Sequence, residues 1–297
     1  MNKINHPVVC FGEVLWDILP SGTQPGGAPM NVAYHLQQLQ KNPAIITKIG
    51  NDSEGRRLLD LFASKHINTE FIQADQLYPT GKVYGTQDAK GDMTYDIVQP
   101  AAWDFIEWQD AFAGLLGASE YFVYGSLAAR NIQSGATLFK LLEAAPQKVL
   151  DINLRAPHFE KNRLLDLMKK ADLLKMNEEE LALTAPWFCT YTNAEDQIKA
   201  MSEQLGLSLF VVTKGGNGAV LFKGGEMLSH PGIKVKVADT VGSGDAFLAA
   251  LLAGLMDKKP ADVLLDTAVR LGSFVATQKG GMPEYDLQQV EDIGTDL

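Results

Sequence analysis

Short apolar runs rich in β-forming residues recur along the chain, and most are separated by stretches with helical spacing. These runs predict strands over residues 7–11, 44–49, 120–124, 148–152, 172–176 and 207–213. Because strands and helices alternate, the pattern predicts an α/β fold with a mostly parallel central sheet covered on both faces. Ligands of such sheets bind beyond the carboxyl ends of the strands.

Three of the helical stretches place apolar residues on one face. These sets are Val32, Leu36 and Leu39 behind Pro29; Leu58, Phe62 and Ala63; and Ile198, Met201 and Leu205 before Gly206. Each set predicts a helix that packs on the sheet.

Residues 81–98 break the alternation. They read as two polar-apolar strands, 82–87 and 93–98, joined by residues 88–92. A hairpin cannot belong to a parallel βα unit, so we expect it to project from the main sheet. Repeats and composition breaks are not apparent, which favours one domain over residues 1–297 with insertions.

The composition is that of a globular protein: 46% of the 297 residues are hydrophobic and 21% are charged. The net charge of −10 argues against a nucleic-acid partner, because nucleic-acid binders use dense Lys/Arg surfaces. The chain has no secretory leader pattern and no run of 18 apolar residues. We therefore expect a soluble, cytoplasmic protein with no membrane partner. Its two cysteines, Cys10 and Cys189, are interpreted as structural.

A glycine-rich stretch before a small-residue helix is the most informative motif. Gly242, Ser243 and Gly244 offer backbone N–H groups where the helix dipole also favours an anion. Asp245 lies in the first turn and could accept a proton from a hydroxyl that attacks a phosphoryl group. Alternatively, Asp245 caps the helix.

A second glycine-rich turn follows the strand that ends at residue 213. Thr213, Gly215 and Gly218 could hold nucleotide phosphates, or the turn could be a tight hairpin that needs positive φ angles. Neither glycine-rich stretch fits the Walker or the dinucleotide fingerprint, which disfavours a Walker-type NTPase and a standard dehydrogenase.

A third motif opens the first predicted helix. Gly27 allows close backbone approach to a ligand, and Asn31 can both donate to and accept from hydroxyl groups. Asp17, after the first strand, could bind two vicinal hydroxyls, or be a solvated loop acid.

The fourth motif is Asn177 followed by three glutamates. Asn177 and Glu180 fall on one face of a helical turn and could hold Mg²⁺ through its waters. Alternatively, the glutamates form a solvated helix start that suits the dipole.

In this order, the motifs resemble those of the ribokinase-like, or PfkB, family of carbohydrate kinases, and within it the fructokinases most closely. Residues 26–40 are similar to the amino-terminal signature, and residues 239–255 to the D-T-x-G-x-G-D signature. Asn177 and Glu180 fit N-x-x-E, residues 151–155 resemble the D-x-N-x-R stretch of fructokinases, and Ala102-Trp103-Asp104 is also similar to them. The resemblance spans roughly residues 7–285.

The resemblance implies a role for each site residue. The general base would be Asp245, and the anion hole would be formed by Gly242, Ser243 and Gly244. The sugar would be contacted by Asp17, Gly27, Asn31 and Arg155. The ATP phosphates would be contacted by Thr213, Gly215 and Gly218, and Mg²⁺ would be positioned by Asn177 and Glu180. The resemblance also implies a β lid built from residues 13–30 and 81–104, through which a homodimer could form.

Two features depart from some relatives. Val269 stands where ribokinases have an asparagine near the adenine, so adenine recognition would be mostly apolar. Some relatives bind a monovalent cation near the positions of Asp239 and Val241, and the sequence leaves that possibility open.

The sequence therefore predicts a ribokinase-like kinase that uses Mg-ATP as co-substrate to phosphorylate a free sugar hydroxyl, with fructose as the first candidate. Four motifs in this order are less easily explained by their structural alternatives than any one motif alone. Ribose, 2-keto-3-deoxygluconate or a nucleoside are alternative acceptors. A catalytically silent sugar or nucleotide sensor is the alternative from another class.

Overall fold

The computed structural model of this chain describes residues 6–87 and 93–294. These residues form two compact units. The first contains the described residues up to Phe122 together with Ala128–Pro146, and the second contains Val123–Leu127 and the described residues from Gln147 onward.

The first unit holds the amino-terminal strands and four helices. Its strands are β1 (Val8–Phe11), β2 (Leu15–Leu19), β3 (Gly22–Gly26), β4 (Ala44–Gly50), β5 (Ile72–Asp75), β6 (Gly81–Gln87), β7 (Met93–Ile97) and the first two residues of β8 (Tyr121–Gly125). Its helices are α1 (Ala28–Gln38), α2 (Ser53–Ser64), α3 (Ala111–Gly117) and α4 (Ile132–Ala144). The strand order is β8-β1-β4-β5 in the main sheet, where β4 pairs in parallel with both β1 and β5.

A small second sheet in this unit has the order β3-β2-β6-β7. Strands β6 and β7 pair antiparallel, which confirms the predicted hairpin; its connecting residues 88–92 lie outside the described residues. Strand β2 pairs antiparallel with β3 and in parallel with β6. The small sheet is therefore built from both segments expected to form a lid.

The second unit holds the carboxyl-terminal part of the main sheet. Its elements are the end of β8, β9 (Gln147–Asp151), α5 (Lys161–Lys170), β10 (Leu173–Asn177), α6 (Glu178–Thr184), α7 (Ala194–Leu205), β11 (Leu209–Thr213), β12 (Ala219–Lys223), β13 (Glu226–His230), α8 (Ser243–Met256), α9 (Ala261–Ala276) and α10 (Leu287–Glu291). The strand order is β13-β12-β11-β10-β9-β8. Strands β9, β10 and β11 are parallel, and β12 and β13 continue the sheet antiparallel.

Local chemistry explains where several helices begin and end. Gly27 is the N-cap of α1, with proline in the first turn, and Asp52 caps α2 by accepting from the Gly55 amide at 2.8 Å. Helix α7 ends at Gly206, whose φ of 67° is left-handed, as predicted.

The apolar face predicted for α2 is partly wrong. Leu58 and Phe62 are buried, but Ala63 is exposed. Since each helical residue turns the chain by about 100°, Ala63 lies about 140° away from Leu58, and Gly55 completes the buried face instead.

Both units have apolar cores around their strands. The largest fully buried side chains include Tyr34, Phe62 and Trp103 in the first unit and Tyr124 and Phe210 in the second. Among the described residues, none of the helices has both the length and the apolarity needed to cross a bilayer.

Candidate active site

One group of predicted site residues lies in the first unit, where β1 leads into β2 and β3 leads into α1. Asp17 lies on β2, and a β-carbon at residue 26 would lie only 2.2 Å from its Oδ2. Gly27 has a φ of 114°, and a β-carbon there would overlap the Glu13 carbonyl oxygen. The glycine pair therefore brings the start of α1 against the strand that carries Asp17.

Asn31 and Glu13 are both buried at this start of α1, 3% and 4% exposed. The Glu13 Oε1 accepts a hydrogen bond from the Ala28 amide at 3.2 Å. A buried carboxylate at a helix N-terminus offsets the positive end of the helix dipole. The sequence analysis did not single out Glu13; the available signal was an acid directly after Gly12 at the end of an apolar strand.

A second group lies in the second unit, at the start of α8. Gly242 is the N-cap of this helix, with a φ of 76°, and a β-carbon there would overlap Gly281. Asp239 holds the preceding loop by accepting from the Val241 amide at 3.0 Å and from the Gly280 amide at 3.1 Å. The shape of this loop therefore depends on a glycine at position 242 and on the turn that follows α9.

Asp245 is the third residue of α8 and is 8% exposed. The N-cap position belongs to Gly242, and no side-chain hydrogen bond caps this helix within the described residues. Asp245 is thus not the N-cap of α8. The Ser243 amide donates to the Thr240 carbonyl oxygen over 3.3 Å, which is a long bond.

Lys175 and Asp151 form a buried ion pair close to this turn, and the sequence analysis did not identify it. The Nζ of Lys175 donates to the Asp151 Oδ2 at 2.5 Å, and each side chain is 7% exposed. A β-carbon at Gly244 would lie 3.2 Å from this Nζ. Burial disfavours the charged ammonium, but Asp151, followed by Asp245 and Glu180, outweighs burial and raises the pKa of Lys175.

Asn177 and Glu180 form a capping box at the start of α6. Asn177 Oδ1 accepts from the Glu180 amide and Glu180 Oε2 from the Asn177 amide, both at 2.8 Å. The Glu180 Oε1 accepts from the Leu154 amide at 2.8 Å. Burial and then the charge of Asp151 raise the pKa of Glu180, although the amide hydrogen bonds and Lys175 oppose that rise. Glu180 is buried, whereas Glu178 and Glu179 are exposed.

The residues around Glu180 fit a site that would hold Mg²⁺ through water molecules rather than by direct bonds to side chains. The described residues contain no group of three or more His, Cys, Asp or Glu side chains arranged to hold a metal. Mg²⁺ usually keeps several waters and binds one or two carboxylates together with substrate phosphates. The chemistry of the Glu180 carboxylate, which accepts the Asn177 amide, fits a metal held through water.

The glycine-rich turn after β11 is a hairpin between β11 and β12. Gly215 and Gly218 have φ angles of 52° and 83°, and a β-carbon at Gly218 would overlap the His230 carbonyl oxygen. Thr213 is the parallel register partner of Asn177. Arg155, by contrast, is exposed, and its Nη1 donates to the adjacent Leu154 carbonyl at 3.3 Å.

A cavity of about 1020 Å³ opens on the second unit beside these motifs. Glu178, directly after Asn177, and Lys214, directly after Thr213, are part of its lining. Cys189, a half-buried free cysteine, also lines it.

Comparison with solved structures defines the class of this fold. A fructokinase from Vibrio cholerae O395, solved with fructose, ADP and calcium ion, superposes with a TM-score of 0.82 at 24% identity, covering 97% of this chain and 99% of that chain. A putative ribokinase II from Escherichia coli in complex with ATP and Mg²⁺ superposes with a TM-score of 0.84 at 21% identity, covering 96% and 98%. The chain thus has the ribokinase-like α/β fold, with a large, mostly parallel sheet and a small separate sheet.

The sequence itself matches the pfkB family of carbohydrate kinases over residues 21–286, and the chain belongs to that family. Fructokinase-2 of Zea mays is 28% identical over 309 residues, covering 94% of this chain and 91% of that protein. The protein is accordingly an ATP-dependent carbohydrate kinase.

Proposed function

We propose that this kinase transfers the γ-phosphoryl group of Mg-ATP to a free hydroxyl of fructose. The observation that carries the proposal is the buried Asp245 in the first turn of α8, directly after the Gly242-Ser243-Gly244 turn. The relatives named fructokinase support fructose as the acceptor.

Asp17, Gly27 and Asn31 bind the sugar in this proposal. The Asp17 carboxylate accepts hydrogen bonds from two hydroxyls, and the buried Asn31 amide can donate to and accept from a third. Arg155 is exposed in this structure, so its contribution to sugar binding is assigned only by its place in the motif.

Asp245 takes the proton from the attacking hydroxyl. The hydroxyl oxygen forms a bond to the γ-phosphorus, the bond from that phosphorus to the β,γ-bridging oxygen breaks, and ADP leaves with the electron pair. The amides of Gly242, Ser243 and Gly244, at the positive end of α8, stabilise the charge on the transferred group. For the Ser243 amide, this means exchanging its long bond to Thr240 for a phosphate oxygen.

Thr213, Gly215 and Gly218 line the ATP phosphates, and Asn177 with Glu180 positions Mg²⁺ through water. When bound, the ion neutralises phosphate charge. A monovalent cation near Asp239 and Val241 stays a prediction; both Asp239 carboxylate oxygens accept backbone amides in this structure.

The test is a panel of sugars supplied with ATP and Mg²⁺, read as the initial rate of ADP release. Fructose is expected to give the highest kcat/KM. A higher kcat/KM with ribose, 2-keto-3-deoxygluconate or a nucleoside would replace fructose as the acceptor. A sugar that bound without any ADP release would identify a sensor and reject the kinase assignment.

A further inference from the structure

Arg130 is a buried arginine of the first unit that binds the backbone of the small sheet. Its side chain is 4% exposed. The Nη2 group donates to the Val98 carbonyl oxygen at 2.8 Å, and the Nη1 group donates to the Ile97 carbonyl oxygen over a longer 3.4 Å. Ile97 is the last residue of β7, and Val98 directly follows it. Arg130 therefore holds the chain at the point where β7 leaves the small sheet.

Two side chains fix the orientation of this guanidinium group. Its Nε and Nη2 groups donate to the two carboxylate oxygens of Asp104, each at 2.7 Å, and Asp104 is itself 2% exposed. The guanidinium carbon lies 3.9 Å from the centre of the Trp103 ring. A lysine could not meet all of these partners at once, because its ammonium group is a compact charge without a planar fork. The arrangement therefore depends on an arginine.

The backbone that Arg130 holds lies in the same cross-strand row as Asp17. Ile97 is the register partner of Val83, and Val83 is the register partner of Asp17. Side chains at paired positions lie on the same face of a sheet. A displacement of the end of β7 therefore also displaces the row that carries the Asp17 carboxylate.

Arg130 also follows a residue that packs against the start of α1. A β-carbon on Gly12 would lie 3.1 Å from the Ala128 Cβ and 3.0 Å from the Pro29 Cγ, so these residues lie close together. Ala128 precedes Arg130 by two residues, and Pro29 precedes Asn31 by two. One short segment therefore contacts α1 through Ala128 and the small sheet through Arg130.

We propose that Arg130 is a positioning residue for sugar binding, which holds the small sheet where the Asp17 carboxylate and the Asn31 amide reach the same sugar. This inference rests on the proposed sugar site and adds to it a residue that acts without touching the substrate. The competing explanation is that Arg130, Asp104 and Trp103 only stabilise the fold.

The variant Arg130→Lys separates the two explanations. It retains a positive charge opposite Asp104, so no buried carboxylate is left without a cation, but it loses the fork that reaches the Val98 and Ile97 carbonyls. Because a misplacement of about 1 Å can lower a rate by about 10²-fold, we expect kcat/KM for fructose to fall by about 10- to 100-fold.

Calorimetry of Arg130→Lys with each ligand alone gives the second measurement. The affinity for fructose should fall by at least about fivefold, because its two binding groups no longer converge. The affinity for ATP should stay within about threefold of wild type, because Arg130 belongs to the first unit and the proposed ATP contacts belong to the second. A role in fold stability alone would not separate the two ligands in this way.

Lys48 provides the matched control, because it is another buried cation of the first unit. Its Nζ lies 2.8 Å from the Asp75 Oδ2 and donates to the Phe105 carbonyl oxygen at 3.1 Å, and its side chain is 9% exposed. Lys48 thus holds the chain at Phe105 rather than at a strand of the small sheet. Lys48→Met should lower the melting temperature, because Asp75 loses its partner charge, but should leave fructose affinity within about threefold of wild type.

A fructose affinity and kcat/KM within about threefold of wild type in Arg130→Lys would overturn the proposal and leave Arg130 as a stabilising residue. So would an equal loss of fructose and ATP affinity, or an equally large fructose defect in Lys48→Met. If Arg130→Lys does not fold, Arg130→Gln combined with Asp104→Asn gives the same comparison. Both charges are then removed, and the two amides can hydrogen-bond to each other.

The sugar panel distinguishes failure of this inference from failure of the proposed function. If another sugar gives the highest kcat/KM, the same measurements with that sugar test Arg130. A wild-type protein that binds a sugar but phosphorylates none would reject the proposed function, whereas calorimetry with the bound sugar would still test Arg130. A wild-type protein that binds no sugar would overturn both.

Discussion

In the proposed site Asp245 lies beside a helix terminus that binds the phosphate, where a carboxylate raises the energy of the bound anion. We expect it to be there because it acts as the general base. Asp245→Asn retains size and hydrogen bonding but cannot accept the hydroxyl proton. We expect kcat to fall by about 10²–10⁴-fold, the usual contribution of a general base, while both substrates still bind. Steady-state rates with separate binding measurements test this.

Asp262 provides the control, because it is an exposed acid in the first turn of the neighbouring helix α9. Asp262→Asn should leave kcat within about twofold. A kcat for Asp245→Asn within a few-fold of wild type would remove the base assignment.

The variant Asp17→Ala tests the proposed sugar-binding site. A carboxylate that binds two hydroxyls contributes charge-assisted hydrogen bonds worth roughly 1.5–3 kcal/mol, so the sugar KM should rise by about 10- to 150-fold. Calorimetry should show an unchanged ATP affinity. Gln24→Ala, which alters the cross-strand partner of Asp17, should change neither affinity by more than about threefold. An ATP defect as large as the sugar defect would contradict the assignment.

The sequence identified the candidate site residues that stand in motifs. It did not identify those that are recognisable only by their three-dimensional contacts. Asp245, Asn31 and Glu180 stand in recognisable motifs, and all three are buried. Lys175 has no motif of its own, although a lysine between Leu174 and Met176 in an apolar strand implies a buried acid partner. Identifying Asp151 as that partner requires the register of β9 with β10, which pairs these two positions.

At the level of elements, Asp52 links the start of α2 to Thr80, the residue directly before β6. The Asp52 carboxylate accepts from the Gly55 amide, the Thr80 amide and the Thr80 hydroxyl. Burial opposes the charge of Asp52, but the bonds from Thr80 and Gly55 and the attraction of Lys82 outweigh it and lower its pKa below the ordinary value of an aspartate. Asp52 therefore stabilises the fold above the pKa of the unfolded chain, and that contribution is lost as pH falls through the lower folded pKa.

Asp52→Asn should accordingly lower the free energy of unfolding by about 1–2 kcal/mol near neutral pH, because one of the accepting oxygens becomes a donor. The difference from wild type should be constant from about pH 7 to pH 5 and shrink below about pH 4, as wild-type Asp52 also becomes protonated. Denaturant titrations across this range measure it. A difference that stays the same at about pH 3 would show that the charge of Asp52 has no part in stability.

Element prediction succeeded where periodicity was strong. The six predicted strands are all present, with ends shifted by one or two residues. Strands β2, β3, β5 and β13 were not predicted. For β3, the reason is that Gly22–Gly26 includes no large apolar side chain and is exposed at its start. Such a strand is defined by its pairing with β2, which local sequence does not encode.

For the whole molecule, the expected homodimer through the small sheet stays a prediction. Tyr84 on β6 and Tyr95 on β7 are large, exposed side chains of this sheet, and β7 is an edge strand. Exposed apolar surface and unpaired edges favour association. Light scattering should therefore give twice the chain mass of 32.4 kDa.

Tyr84→Asp combined with Tyr95→Asp should then give a folded monomer. Tyr191→Asp combined with Leu287→Asp adds the same charge at exposed positions of the second unit and should leave the dimer intact. A wild-type chain that is monomeric at micromolar concentrations would contradict the lid-mediated dimer.

The cavity of the second unit contains the one cysteine of this chain that a thiol-reactive dye is expected to reach. Of its two cysteines, Cys10 is fully buried in β1, whereas Cys189 lines the cavity and is partly exposed. A maleimide dye should therefore attach at one position of the folded protein without any engineered cysteine. That dye would lie in the same cavity as Glu178 and Lys214, the immediate neighbours of Asn177 and Thr213. The proposed nucleotide site therefore predicts that the fluorescence of the dye changes when ATP binds.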